Sequence, residues 1–163
     1  MPLEPFYLPN EVIDFFQNQF SDLDEMVNSN SSLLARALKD DNFKKIWNST
    51  FNADLNNLAL PNFESGEILA TRKAFGATLD KFAEQTPLLV GGSADLEPSN
   101  YTTNFANNYG DFAKDRREGR NLAYGVREFP MAAAMNGMSL HGGVIPFGGT
   151  FLVFADYERP ALR

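Results

Sequence analysis

The sequence predicts an α/β fold, a parallel sheet with flanking helices preceded by a helical lead-in. Three observations predict it. Leu88-Leu89-Val90, Leu122-Ala123-Tyr124 and Val144-Ile145 are apolar runs too short for helices, each close to glycine or proline. The stretches between them carry apolar residues at helical spacing, and strands alternating with helices imply parallel pairing. Residues 1–64 contain no glycine and are rich in Asn, Asp and Phe, which separates a 1–64 lead-in from a 65–163 α/β domain.

Taken in order, Asn10 is placed to cap a helix on which Ile13, Phe16 and Phe20 recur at helical spacing. A second helical piece is expected after Ser32, and a third around Phe43, Ile46 and Trp47. Mixed signals and Pro61 make residues 52–64 a linker. Ser65 then caps a helix whose stripe is Ile68, Phe75, Leu79 and Phe82, and Pro87 ends it. The strand Leu88-Leu89-Val90 runs into Gly91-Gly92, and a polar loop leads to the strand Leu122-Ala123-Tyr124, closed by Gly125. Pro130 suits the first turn of the next helix, which continues through Met138. Val144-Ile145 opens a third strand, and Phe151 to Leu162 forms a last helix.

Composition excludes several classes. With 44% hydrophobic and 21% charged residues the chain has the make-up of a globular domain. It has no cysteine, so disulfides and thiolate metal sites are out, which fits a reducing compartment. Neither a secretory leader nor an apolar run near the roughly 20 residues of a spanning helix is visible, so a cytoplasmic, non-membrane protein is expected. A net charge of −7 without a basic stripe argues against nucleic acid. The one basic run, Lys114 to Arg120, reads as a solvated loop.

Ligands of parallel sheets sit beyond the carboxyl ends of the strands. The segments there, GGSADLEPSN, GVREF and PFGGTF, are also the most unusual in the chain. Glu128 stands at a helix start, where the dipole favours the ionised carboxylate and apolar neighbours favour protonation. A carboxyl poised between these influences can act as acid or base, although a helix-start glutamate with no further role has the same spacing. Asp95 follows the glycine pair as ligand or as turn cap. Arg72 falls on an apolar stripe, where it needs either an internal ion pair or an anionic ligand. Phe151, Phe154 and Tyr157 form an aromatic edge suited to core packing or to a flat ligand. His141, the single histidine, reads as structural. No metal or phosphate signature is present.

Five segments, ATRKAFG (70–76), GGSADLEPSN (91–100), GVREFPMAAAMNG (125–137), LHGGVIPFGGTF (140–151) and FADYERPALR (154–163), resemble the transketolases in order and spacing. The opening PFYLPNEV resembles the connector that precedes their pyrimidine-binding domain. The resemblance implies a thiamine diphosphate-binding fold and transfer of a two-carbon ketol unit between sugar phosphates, in the pentose phosphate pathway. It implies that Glu128 contacts N1′ of the aminopyrimidine, favouring the imino tautomer, and that Phe151, Phe154 and Tyr157 surround that ring. It gives Asp95 a place on the cofactor side, and Arg72 and Ser99 a hold on the sugar phosphate, where Arg grips an anion bidentately.

The same resemblance implies what this segment does not carry. The diphosphate site and its Mg2+ (or Ca2+) belong to another domain or subunit, the complete enzyme is a homodimer, and Arg163 falls inside the pyrimidine domain. A truncated sheet of three strands with an open edge is therefore expected, and a chain inactive without its diphosphate-binding partner. A non-catalytic remnant or interaction module is the alternative. A related thiamine enzyme such as deoxyxylulose phosphate synthase fits GGSADL and FADYERPALR less well.

Overall fold

The computed structural model describes residues 7–52 and 54–163. The chain divides into two compact units, Met1–Ser49 and Thr50–Arg163. The first is dominated by α1 (Asn10–Ala37). Pro9 occupies its N-cap, so Asn10 opens the helix instead of capping it. No break follows Ser32, because its hydroxyl donates to the Asn28 carbonyl 2.9 Å away and is satisfied within the helix. Next comes α2 (Asp41–Phe51), opened by Asp40, whose carboxylate accepts from the Phe43 amide at 2.8 Å. Among the described residues no helix is long and apolar enough to cross a membrane.

In the second unit α3 (Thr71–Gln85) begins six residues after the expected Ser65 cap, with Ala70 at the N-cap. Ile68 is thus outside the helix and fully exposed, while Leu79 and Ala83 bury its inner face. Strand β1 (Leu89–Ser93) follows, then the short α4 (Glu97–Asn100) and α5 (Thr103–Tyr109), and later α6 (Glu128–His141). Strand β2 (Ile145–Gly149) runs parallel to β1 in the register Leu89↔Ile145 to Ser93↔Gly149. A 3-10 turn (Leu152–Phe154) leads into α7 (Ala155–Leu162). The result is the expected open parallel sheet with flanking helices.

The sheet has two strands where three were expected. Residues 122–124 form no strand; pairing stops at a single bridge from Asn121 to Gly91. Gly91 donates to the Arg120 carbonyl at 3.0 Å and accepts from the Leu122 amide at 2.9 Å, after which the chain turns away through Gly125 at φ 65°. Gly92 explains the close approach, since a Cβ there would collide with the Leu122 carbonyl.

The core of this unit gathers Leu79, Ala83, Leu89, Phe105 and Phe147, with Phe82, Tyr109 and Ile145 packed around it. Phe105 is entirely buried and meets Phe147 edge-on at 4.8 Å. Arg120 is not part of a solvated loop. Its guanidinium donates to the carbonyls of Leu89 (2.9 Å), Thr86 (3.0 Å) and Ala83 (3.2 and 3.3 Å), and lies 3.9 Å from the Tyr109 ring centroid. Burial lowers its pKa, opposed by the charge of Tyr109 and a hydrogen bond to it. The end of α3, β1 and the bridge at Asn121 are thereby tied together.

Candidate functional site

Both strands end at one place, and buried hydrogen bonds hold the two ends in register. The Ala94 amide donates to the Gly149 carbonyl at 2.9 Å, and the buried Ser93 hydroxyl to the same carbonyl at 3.2 Å. That hydroxyl also accepts from the Asn100 side-chain amide (2.9 Å) and the Leu96 backbone amide (2.9 Å). The loop after β1 and the loop after β2 are therefore one construction. Sequence reasoning passed over the Ser93–Asn100 latch, although both residues lie in the GGSADLEPSN segment.

Beyond these strand ends opens a cleft of about 550 Å³. Its walls include Arg72 and Phe75 from the first turn and a half of α3, Ser99 and Asn100 from α4, and Thr150 and Phe151 after β2. Arg72 is exposed at the mouth, its guanidinium carbon 5.9 Å from the Tyr101 ring centroid. It does not lie on a buried stripe, because α3 starts late and turns its first residues to the open side. Among the described residues it has no acidic partner, so the internal ion pair is not formed. A cation, a half-buried serine and apolar walls suit an anionic ligand with an organic body.

Phe151 links this cleft to a second feature. It stacks on Phe154 with centroids 5.9 Å apart and planes within 16°, and Phe154 meets Tyr157 at 6.2 Å and 46°. Tyr157 is 65% and Phe151 38% exposed, so this run is a surface shelf and not core. Such an exposed aromatic series offers flat faces to a ring.

Glu128 is the first residue of α6, preceded by Arg127 at the N-cap, and is only 9% exposed. Helix α6 lies on β2, where Gly148 leaves room for Met131 and Met135; a Cβ there would stand 2.6 Å from the Met135 sulfur. It also packs against α7, to which the Asn136 side chain donates at 2.8 Å through the Ala161 carbonyl. On α7 sits Glu158, equally buried at 9%. Burial raises the Glu158 pKa, and the nearby charge of Glu128 raises it further. Among the described residues neither carboxyl has a hydrogen bond or a cationic partner. Glu158 was missed from the sequence, where nothing local sets it apart from the exposed Asp156 and Arg159 on the same helix.

The structure brings Arg72, Ser99 and Phe151 to the cleft, and Phe154 and Tyr157 to the adjoining shelf. Glu128 is not among the cleft's lining residues; it lies on α6, which packs against α7. Asp95 is exposed and outside the cleft walls, held at φ 62°, a left-handed conformation that Asp tolerates better than most residues. His141 is exposed at the end of α6, its Nδ1 3.1 Å from the Gly142 carbonyl. Among the described residues no group of three or more His, Asp or Glu could hold a metal ion.

Residues 67–163 match the family model for the transketolase pyrimidine binding domain. The chain is 40% identical to the transketolase of Bacillus subtilis over 98% of its own length and 24% of that protein. It is 53% identical to that of Geobacillus stearothermophilus over 64% of its length. Among solved structures it resembles transketolase from Leishmania mexicana (TM-score 0.79, 33% identity, 99% of this chain and 24% of that one). It also resembles a Pichia stipitis transketolase in complex with sedoheptulose 7-phosphate (TM-score 0.77, 30% identity, 98% of this chain and 25% of that one). The chain thus spans about a quarter of the length of the relatives it matches end to end.

Proposed function

We propose, from the premise that this chain belongs to the transketolase pyrimidine-binding domain family, that it forms the pyrimidine-binding part of a transketolase. The complete enzyme would transfer a two-carbon ketol unit between sugar phosphates, in the pentose phosphate pathway and the cytoplasm. The observation that carries the reading is Glu128, a buried residue with no hydrogen-bond or ionic partner among the described residues, on a helix packed against α7, into which the aromatic shelf runs. A carboxyl on α6 and an aromatic series running into α7, the helix packed against α6, are a set that fits an aminopyrimidine.

Thiamine diphosphate, when bound, supplies the carbanion chemistry of ketol transfer. The residues of this chain would do the rest. Phe151, Phe154 and Tyr157 would sandwich the ring and exclude water from it. Glu128 would exchange a proton with the ring nitrogen N1′, as a buried carboxyl can do only at short range and in fixed orientation. Arg72 and Ser99 would bind the substrate phosphate at the cleft mouth, and Asp95 would face the cofactor side. Magnesium (or calcium) does not fit among the described residues, so the metal and the diphosphate would be held by a diphosphate-binding domain or subunit. The complete enzyme would work as a homodimer.

Calorimetric titration of thiamine diphosphate with magnesium tests this, first into the chain and then with a transketolase diphosphate-binding domain added. Binding that requires the added domain and is lost in Glu128→Ala or Phe154→Ala supports the proposal. Absence of binding in both settings, from a chain shown to be folded, leaves a non-catalytic remnant.

A further inference from the structure

Helix α1 carries an apolar stripe that stays exposed. Ile13, Phe16, Phe20, Leu23 and Val27 follow one another at alternating steps of three and four. Asn30, Leu34 and Ala37 continue the same steps to the end of the helix. Such spacing, kept over more than three heptads, is that of a seam along which one helix meets another. The five residues from Ile13 to Val27 are between 38% and 60% exposed. Of the described α1 residues only Leu34 and Ala37 are even half-buried. The helix also contains four asparagines, four serines and three aspartates. A helix so poor in strong helix formers draws its stability from packing of its apolar face.

The composition of the seam points to what covers it. No charged residue stands in it, and of the positions that flank it only Asp24 is charged. Asn30 is its one polar member. Against an unrelated apolar groove the Asn30 amide would be buried without a partner; against its own counterpart on a second helix, each amide donates to the other. A single polar residue in an apolar seam fixes register in this way. We infer that α1 pairs with α1 of a second copy of this chain, as a parallel, in-register coiled coil. Antiparallel pairing fits the same residues badly. The seam is centred near residue 25, so it would set Asn30 against Phe20 and bring Asp24 against Asp24 of the other copy. In the parallel register Asp24 faces Gln19 of the other copy, and the remaining acidic residues of α1 stay in water. A half-exposed aromatic side chain has about 75–125 Å² left to bury. With Val12, Met26 and Leu33 beside the seam, the stripe offers about 800 Å² per copy, the size of a stable interface. The pairing needs neither the cofactor nor the proposed activity.

The test is sedimentation equilibrium of the 163-residue chain, with Phe20→Gln on the seam and Phe15→Gln off it. The two phenylalanines are equally exposed, so only their place relative to the seam differs. Wild type and Phe15→Gln are expected to be dimers at micromolar concentration, and Phe20→Gln to dissociate at least about tenfold more readily. A wild type that stays monomeric overturns the inference. So does a dimer indifferent to Phe20→Gln, which would put the contact elsewhere, on the aromatic shelf or the free edge of β2. Orientation is read from cross-linking. The chain has no cysteine, so Ile13→Cys and Ala37→Cys each supply a single thiol per copy. Under mild oxidation both should give a disulfide-linked dimer and Phe15→Cys should not; a dimer in which neither seam thiol cross-links is not this coiled coil. These variants decide the matter even where Phe20→Gln fails to fold. Monomers that associate only with an added transketolase diphosphate-binding domain, and lose that association in Phe20→Gln, would overturn the self-pairing and leave the functional proposal standing.

Discussion

Replacing Arg120 by alanine removes more than a surface charge. Three carbonyls, those of Leu89, Ala83 and Thr86, lose their guanidinium donors, and the Tyr109 ring loses a cation 3.9 Å from its centroid. A hydrogen bond to a charged group contributes about 1.5–3 kcal/mol, and the cation–ring contact about 0.5–1 kcal/mol at a partly exposed site. The side chain is only half-buried and the bonds share one group, so they do not add in full. A net loss of about 3 kcal/mol is expected, or a fall in Tm of roughly 10 °C for a unit of this size. Urea denaturation followed by circular dichroism measures it, with the slope against denaturant as a control for a changed unfolded state. Arg120→Lys should fall in between, because one ammonium cannot reach three carbonyls at once. A loss below about 1 kcal/mol in Arg120→Ala at unchanged slope would mean that water serves these carbonyls and that Arg120 is no clamp.

Phe154→Ala should cost modest stability, about 1–2 kcal/mol, because the ring is half-buried between exposed neighbours, yet it should abolish cofactor binding in the calorimeter. Gly92→Ala should destabilise by about 2 kcal/mol or more in the same urea assay, since its Cβ has to displace the Leu122 carbonyl. Asp95→Gly should stabilise by up to about 1 kcal/mol by relieving the left-handed backbone, and Asp95→Ala should not. Cofactor binding lost in both Asp95 variants would place its carboxylate in the site. For Glu158 the folded pKa is raised, by burial first and then by Glu128. Its stabilising contribution is therefore fully present below the unfolded glutamate value, about 4.3, and is lost as pH rises through the folded value. Melting curves over about pH 4 to 8 should show wild-type Tm falling relative to Glu158→Gln; parallel curves would contradict the burial argument.

What could be read from the sequence follows from how local each determinant is. Leu88-Leu89-Val90 between Pro87 and Gly91-Gly92 admits one reading, a short buried strand, and β1 is found there. Pro130 marked the start of α6 because a missing amide proton costs nothing in a first turn. Leu122-Ala123-Tyr124 carried the same apolar signal as the true strands, but a strand needs a continuous partner. Gly91 offers one residue of pairing before Gly125 redirects the chain, and neither fact has a local signature. The Ser32 and Ser65 readings failed in opposite directions for one reason. A serine hydroxyl bonds equally well within a helix, as Ser32 does, or to nothing at its start, as the late onset of α3 at Thr71 demonstrates.

At the candidate site the same distinction separates position from neighbourhood. Residues of one segment kept the relation their spacing implied, and Phe151, Phe154 and Tyr157 form one continuous aromatic series. Whether that series faces core or solvent depends on what lies against α7, and so exposure had to come from the fold. Arg72 was legible as an unusual cation, but its lack of an acidic partner among the described residues follows from the six-residue delay of α3. Arg120 and Glu158 were illegible because what makes each unusual lies far along the chain: carbonyls more than thirty residues away for one, Glu128 thirty residues away for the other. A charged side chain in a charged run looks solvated until the fold places acceptors around it, and a lone glutamate in a helix looks like surface until another helix packs over it. In both cases the chemistry is a property of a pair, and the sequence displays its members singly.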